Sequence, residues 1–228
     1  MTKTLSDFSH LEPAEKLLIA KYRFRMLSTV LIEVLELTEQ TKAFKASRLY
    51  ELRRSNEAIA LLYETIANYE IAQICRLWDD FDPSGFSIPT MIALLEGKEV
   101  RNLLSIREPG SVVIEFRLTS AKDMDEFLLK MFDPAVKQAI TIAASEQLER
   151  VKNYRNKYIA HPIPSTRKER KKSIEEVKRT DIDSLVETAM SIVWVLQVAL
   201  SLPYSEYPTL RDNFSKTIKP FYASLKYG

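Results

Sequence analysis

The residues best equipped for chemistry lie in "YRNKYIAHPIP", residues 154–164. Arg155 carries a planar guanidinium whose fork of donors matches the oxygens of a phosphate. Six positions later comes His161, one of only two histidines in the chain. An imidazole titrates near neutrality and can take up or return a proton. The pair suits displacement at a phosphate ester. The imidazole moves the proton, and the guanidinium meets the charge that grows on the equatorial oxygens. With a single cysteine, Cys75, and two histidines, a Cys/His zinc site has too few ligands, and neither a metal nor a cofactor is assigned.

These residues must be held by a helix. Leu148, Val151, Tyr154, Tyr158 and His161 step by three and four positions, which predicts a core-facing stripe on a helix reaching from Pro134 to about Ala160. On that stripe His161 also reads as a helix-end residue, favoured by the negative end of the helix dipole. At about 100° per residue, six positions leave Arg155 and His161 about 120° apart on the cylinder, too far to meet at one atom in an undistorted helix. Tyr154 and Tyr158 are assigned to core packing in preference to stacking on bases.

The other elements are expected to be helical too. The chain has 228 residues, enough for one domain with a sizeable core, and only four glycines, too few for many hairpins. Pro13 opens a long helix with Leu17, Ala20, Phe24, Leu27, Leu31, Val34 and Leu35 on one face. A second long helix is predicted from about Ser47 to Asp80, with Leu52, Ile59, Leu62, Ile66, Tyr69, Ala72 and Leu77 facing inward. Short helices follow near 90–95, 99–106 and 123–132. The run "EPGSVVIEFRL" at 108–118 is the one strand-like stretch. Thr180 and Asp183 resemble a capping box for a last long helix over 181–202, stopped by Pro203. The expected architecture is all-α: an antiparallel bundle of four long helices with short accessory helices over 13–202. A flexible segment precedes it at 1–12, and a short helical tail follows at 203–228.

Charge is uneven. Residues 150–179 hold eleven Lys or Arg against three Glu, a local +8 in a chain whose total is +2. Focused positive charge favours a polyanionic partner, although such a run is also readable as a solvated face. The N-terminus lacks the apolar core of a signal peptide. The most apolar stretch, 190–202, is shorter than a bilayer span, so a cytoplasmic chain with no membrane partner is expected.

The run "RNKYIAH" resembles the Arg-x4–6-His signature of the HEPN superfamily, all-helical domains of prokaryotic conflict systems, in which a polar residue, here Asn156, commonly follows the arginine. Together with "RLWDDFDPSGFSIPTMIALL" at 76–95 it is similar to the abortive-infection, AbiU2-like branch, where a long helix ends in an Arg-x-x-Asp element, here Arg76 and Asp79. The resemblance spans about residues 15–200. It implies metal-independent cleavage of RNA by Arg155 and His161 with Asn156 beside them, in phage defence or as a toxin with a possible antitoxin partner. It also implies a homodimer that pairs the motif helices across a two-fold axis. Lys152, Lys157, Arg167, Lys168, Arg170, Lys171 and Lys172 would then hold the RNA backbone, a sequence-independent task for basic side chains. Arg76 and Asp79 are assigned structural support, pairing with each other or pinning the next loop. The acidic Asp79, Asp80 and Asp82 read either as a magnesium site or as a helix-to-loop junction. The alternative function is a non-catalytic helical module for dimerisation or RNA binding.

Overall fold

The computed structural model describes residues 8–105, 121–160, 177–203 and 205–225, and every regular element among these is helical. In order they are α1 (Pro13–Ala46), α2 (Arg48–Leu52), α3 (Glu57–Leu77), α4 (Ile88–Leu95), α5 (Lys98–Ser105) and α6 (Ala121–Phe127). A π-helical turn (Leu128–Phe132) leads into α7 (Asp133–Ala143), then α8 (Glu146–Tyr154) and a second π-helical turn (Arg155–Ala160). The last helices are α9 (Arg179–Ala199) and α10 (Tyr207–Ser224). The strand-like run at 108–118 lies outside the described residues.

The all-α expectation holds, but two of the expected long helices are divided. The stretch from Ser47 to Asp80 breaks at residues 53–56, because Asn56 caps α3: its Oδ1 accepts the N–H groups of Ala58 (3.0 Å) and Ile59 (3.3 Å). The helix expected over 134–160 stops at Ala144. Ser145 suits a new helix start, and Glu146 and Glu149 complement the positive end of α8. Pro134 lies in the first turn of α7, as expected of a proline that opens a helix, but no break precedes it. Helical structure runs through it from α6, and the π turn lies just upstream, with the Asp133 N–H bonded to the Leu128 carbonyl five residues back. A proline offers no N–H and its ring crowds the carbonyl four residues earlier, so a widened turn relieves both demands. At the C-terminus α10 has 18 residues, far more than a short tail.

The chain forms two compact units. The first comprises residues 1–29, 77–145 and 187–205. In it α4 packs on α7 and α5 on α6, and Arg101 of α5 is paired with Asp133 of α7 at 2.6 Å. The loop leading to α4 is pinned by its own hydroxyls. Ser87 caps α4 through the Thr90 N–H, with Pro89 in the first turn. The Thr90 hydroxyl lies 3.3 Å from the Asp82 carbonyl and accepts the Asp82 N–H at 3.2 Å.

The second unit comprises residues 30–76, 146–186 and 206–228. Leu31, Val34 and Leu35 of α1 are buried as expected, but the buried face of α3 matches the predicted one only in part: Leu77 is sealed. Leu62 and Tyr69 are about half exposed. The residues sealed away include Glu70, Gln73, Ile74 and Cys75. A glutamate at that depth needs a partner. Arg179, in the first turn of α9, donates from Nη1 to Glu70 Oε2 at 2.9 Å, while the Thr38 hydroxyl of α1 donates to Oε1 at 2.9 Å. Arg179 also grips Asp183 through Nε and Nη2 at 3.2 and 3.1 Å. Asp183 meets Lys42 of α1 at 3.2 Å, Lys42 approaches Glu39, and Glu39 accepts from Arg211 of α10 at 2.9 Å. Four helices are thus tied by one chain of charges.

By length and composition α9 is one helix among the described residues that qualifies to cross a membrane. Most of its apolar side chains are buried inside the protein, and its first turn carries the ion pairs just described. Replacing Arg179 by alanine leaves the Glu70 carboxylate buried without its cation. We expect Arg179→Ala to cost about 3 kcal/mol, measured as a lowered urea midpoint at unchanged slope.

Candidate active site

The motif sits at the C-terminal end of α8, and α8 is anchored by one interaction. Arg150 donates from Nε to Asp181 Oδ2 at 3.1 Å and from Nη2 to Oδ1 at 3.0 Å, a two-point fork on a carboxylate that is itself buried. Asp181 also accepts the Lys178 N–H at 3.3 Å, reaching back three residues as the acidic member of a capping box does. The helix start predicted at Thr180 and Asp183 is therefore shifted. Asp181 does the capping, and Asp183 is engaged with Arg179 and Lys42.

Leu148 and Val151 face the core as predicted, but the stripe does not continue. At Arg155 the helix widens into the π turn, which takes more residues per turn and rotates the side chains beyond it. Tyr154 is half-buried, and Tyr158, expected inside, is 50% exposed. The Tyr154 ring lies 4.8 Å from the Tyr158 ring at a tilt of 46°, and its hydroxyl is 3.5 Å from Asn68 Oδ1 of α3. Burial, with Tyr158, Glu64 and Tyr63 nearby, pushes the Tyr154 phenol above its ordinary value and keeps it a donor.

Arg155 is partly exposed, and its Nε donates to Asn156 Oδ1 at 3.2 Å. Two of the motif's polar residues, neighbours in sequence, are thus hydrogen-bonded side by side. Lys152 lies on α8 one turn before Arg155. Lys157 lies on the π turn, its Nζ 5.2 Å from the Tyr158 ring centre. His161 and the run Arg167, Lys168, Arg170, Lys171 and Lys172 lie outside the described residues. Arg76, in the last turn of α3, donates to Gln73 Oε1 at 2.9 Å. Asp79 follows beyond the end of that helix, where the described pins of the next loop are Asp82, Ser87 and Thr90.

Two expectations about charge change in the structure. Arg150 and Arg179, at the two ends of the +8 window, are committed to Asp181, Glu70 and Asp183, two of which lie just past its edge. The count therefore overstates the free charge. In the acidic cluster, Asp82 Oδ1 accepts both the N–H and the hydroxyl of Ser84, at 2.9 and 2.8 Å. Those bonds hold its carboxyl below the ordinary range, a turn-forming role. Among the described residues no group of three or more His, Cys, Asp or Glu is arranged to hold a metal ion.

The AbiU2 family model of HEPN domains matches residues 15–216. The chain belongs to this abortive-infection family of the HEPN superfamily. The match takes in all of α3 and α4, the motif and the first half of α10, so the C-terminal helix is partly family structure. A comparison with curated proteins and one with solved structures found no match. The ion-pair network around α9 leaves no mark in the apolar periodicity. Its one outward sign was the density of charge in "KRTDID", residues 178–183.

That network makes stability depend on acid. The Arg150 hydrogen bonds hold the Asp181 carboxyl below its ordinary value. Burial raises Asp183, but Arg179 and Lys42 outweigh it and leave that carboxyl lowered too. As pH falls the unfolded chain therefore binds these protons first. The stabilisation is complete above the unfolded value of about 4 and is lost as pH drops through the lower folded values. We expect the urea midpoint to fall steeply below about pH 4. Asp181→Asn should start lower at pH 6 and show a shallower acid limb.

Proposed function

We propose that the protein is a metal-independent endoribonuclease whose working residues are Arg155, His161 and the orienting Asn156. The observation that carries this reading is the Arg155–Asn156 pair, displayed on a widened helical turn in a chain of the AbiU2 family. π turns occur often at functional sites, where they re-aim side chains that a regular helix would turn inward.

The chemistry is internal transfer. His161 takes the proton from a ribose 2′-hydroxyl, the 2′-oxygen bonds to the adjacent phosphorus, and the bond to the 5′-oxygen breaks. A proton returns to that leaving oxygen, so the products are a 2′,3′-cyclic phosphate and a 5′-hydroxyl. Arg155 bears the charge gained by the phosphoryl oxygens. Lys152, Lys157 and the run Arg167, Lys168, Arg170, Lys171 and Lys172 hold the backbone without reading sequence.

The site is composed by two chains. On a regular helix, six residues advance about 600°, or about 120° short of two full turns. A two-fold axis removes the difficulty, because His161 of one copy faces Arg155 of the other and the motif is duplicated. Family membership supports a setting in phage defence, in which a second protein restrains the nuclease until infection.

Purified protein should cleave RNA in excess EDTA and leave 2′,3′-cyclic phosphate ends. Arg155→Ala and His161→Ala should each lower the rate by about a hundred-fold or more. Asn156→Ala should lower it less. Equal cleavage by wild type and variants would assign the activity to a contaminant. If His161→Ala changed only stability, with RNA affinity intact and no cleavage by wild type, the protein would be a non-catalytic helical module.

A further inference from the structure

The geometry points to Tyr158 as a stacking platform for one base of the bound RNA, next to the phosphate that Arg155 engages. This rests on the ribonuclease reading and adds a contact to the base, where the residues above touch only phosphate and sugar.

The inference begins with a side chain that is out of place. The spacing of the α8 stripe predicts that Tyr158 is buried, and Val151 on the same stripe is fully sealed. The π turn begins at Arg155 and carries Tyr158 out, so that half of a large aromatic side chain faces solvent. The same turn displays Arg155, Asn156 and Lys157. An exposed aromatic interleaved with cations is the combination that holds single-stranded nucleic acid. Cations follow the backbone, and the ring face takes a base of any identity.

The ring is also braced. Tyr154 contacts Tyr158 at 4.8 Å between centres, and the Tyr154 hydroxyl reaches Asn68 of α3. Tyr158 therefore leans on a partly buried neighbour, which lowers the entropy lost when a base settles on it. Lys157 Nζ lies over the Tyr158 ring at 5.2 Å. A cation–π contact at an exposed site is weak, so an arriving base can displace the ammonium towards a phosphate a few ångströms away. A paired base in a duplex keeps its faces covered by its neighbours and cannot make this contact, so the platform requires an unpaired base at that position.

The test is equilibrium binding in EDTA, on a His161→Ala background that holds cleavage in check. The probes are a fluorescein-labelled single-stranded RNA, a blunt RNA duplex, and single strands carrying 2-aminopurine or an abasic ribose at successive positions. Tyr158→Ala should weaken single-strand binding about ten-fold, Tyr158→Phe should bind within about two-fold of its parent, and duplex binding should not respond to either change. The 2-aminopurine signal should be quenched at one position, and that quenching should be lost with Tyr158→Ala. An abasic ribose at that position should weaken binding to the His161→Ala protein with Tyr158 intact, a readout that needs no second substitution to fold. Single-strand binding unchanged by Tyr158→Ala and by every abasic probe would overturn the platform while leaving the nuclease reading standing. No binding to any RNA would remove both.

Discussion

The structure of the second unit depends on the first turn of α9, where Arg179, Asp181 and Asp183 point at three different helices. Arg179 neutralises Glu70 in α3, Asp183 meets Lys42 in α1, and Asp181 takes the fork of Arg150 in α8. Glu70 and Asp181 are almost wholly buried, so each carries a desolvation cost that its arginine, with one further donor (the Thr38 hydroxyl or the Lys178 N–H), offsets. Hydrophobic contact holds helices together without fixing their rotation. These directional bonds fix it, because a forked guanidinium and carboxylate meet well in few orientations.

The consequence for function runs through Arg150. It stands five residues before Arg155, so the bond to Asp181 sets the phase of α8 just before the helix changes pitch. From that fixed base the π turn presents Arg155, Asn156, Lys157 and Tyr158 in an order a regular helix would not give. Arg150 and Arg179 are thus structural, committed to carboxylates of other helices or of their own, whereas Arg155 lies on the π turn with its Nε bonded to Asn156.

Much of this was legible in the residues alone, for reasons that can be named. Four glycines and long apolar periodicity announce helices, and the arginine–histidine spacing with the segment at 76–95 announces the family. The short helix expected near 90–95 is present as α4, its start set two residues earlier by the Ser87 cap and Pro89. What failed to show was whatever depends on partners distant in the chain. The inward face of α3 contains Glu70 and Gln73, polar residues that interrupt any apolar stripe, so the apolar spacing points to Leu62 and Tyr69 in their place. The break at Asn56 depends on a side chain preferring a cap to an unbroken helix, a choice of about 1 kcal/mol that packing settles. The π turn at Arg155 left no periodic trace, and with it went the true position of Tyr158.

The central claim is that Arg155 of one chain works with His161 of another. The most direct measurement mixes Arg155→Ala and His161→Ala chains, each inactive alone, by co-refolding equal amounts and assaying RNA cleavage in EDTA. In a mixed dimer one of the two sites receives both intact residues. With half the dimers mixed, about a quarter of the wild-type activity should return. A mixture as inactive as its parents, although exchange of chains is verified, would contradict a site shared between two copies.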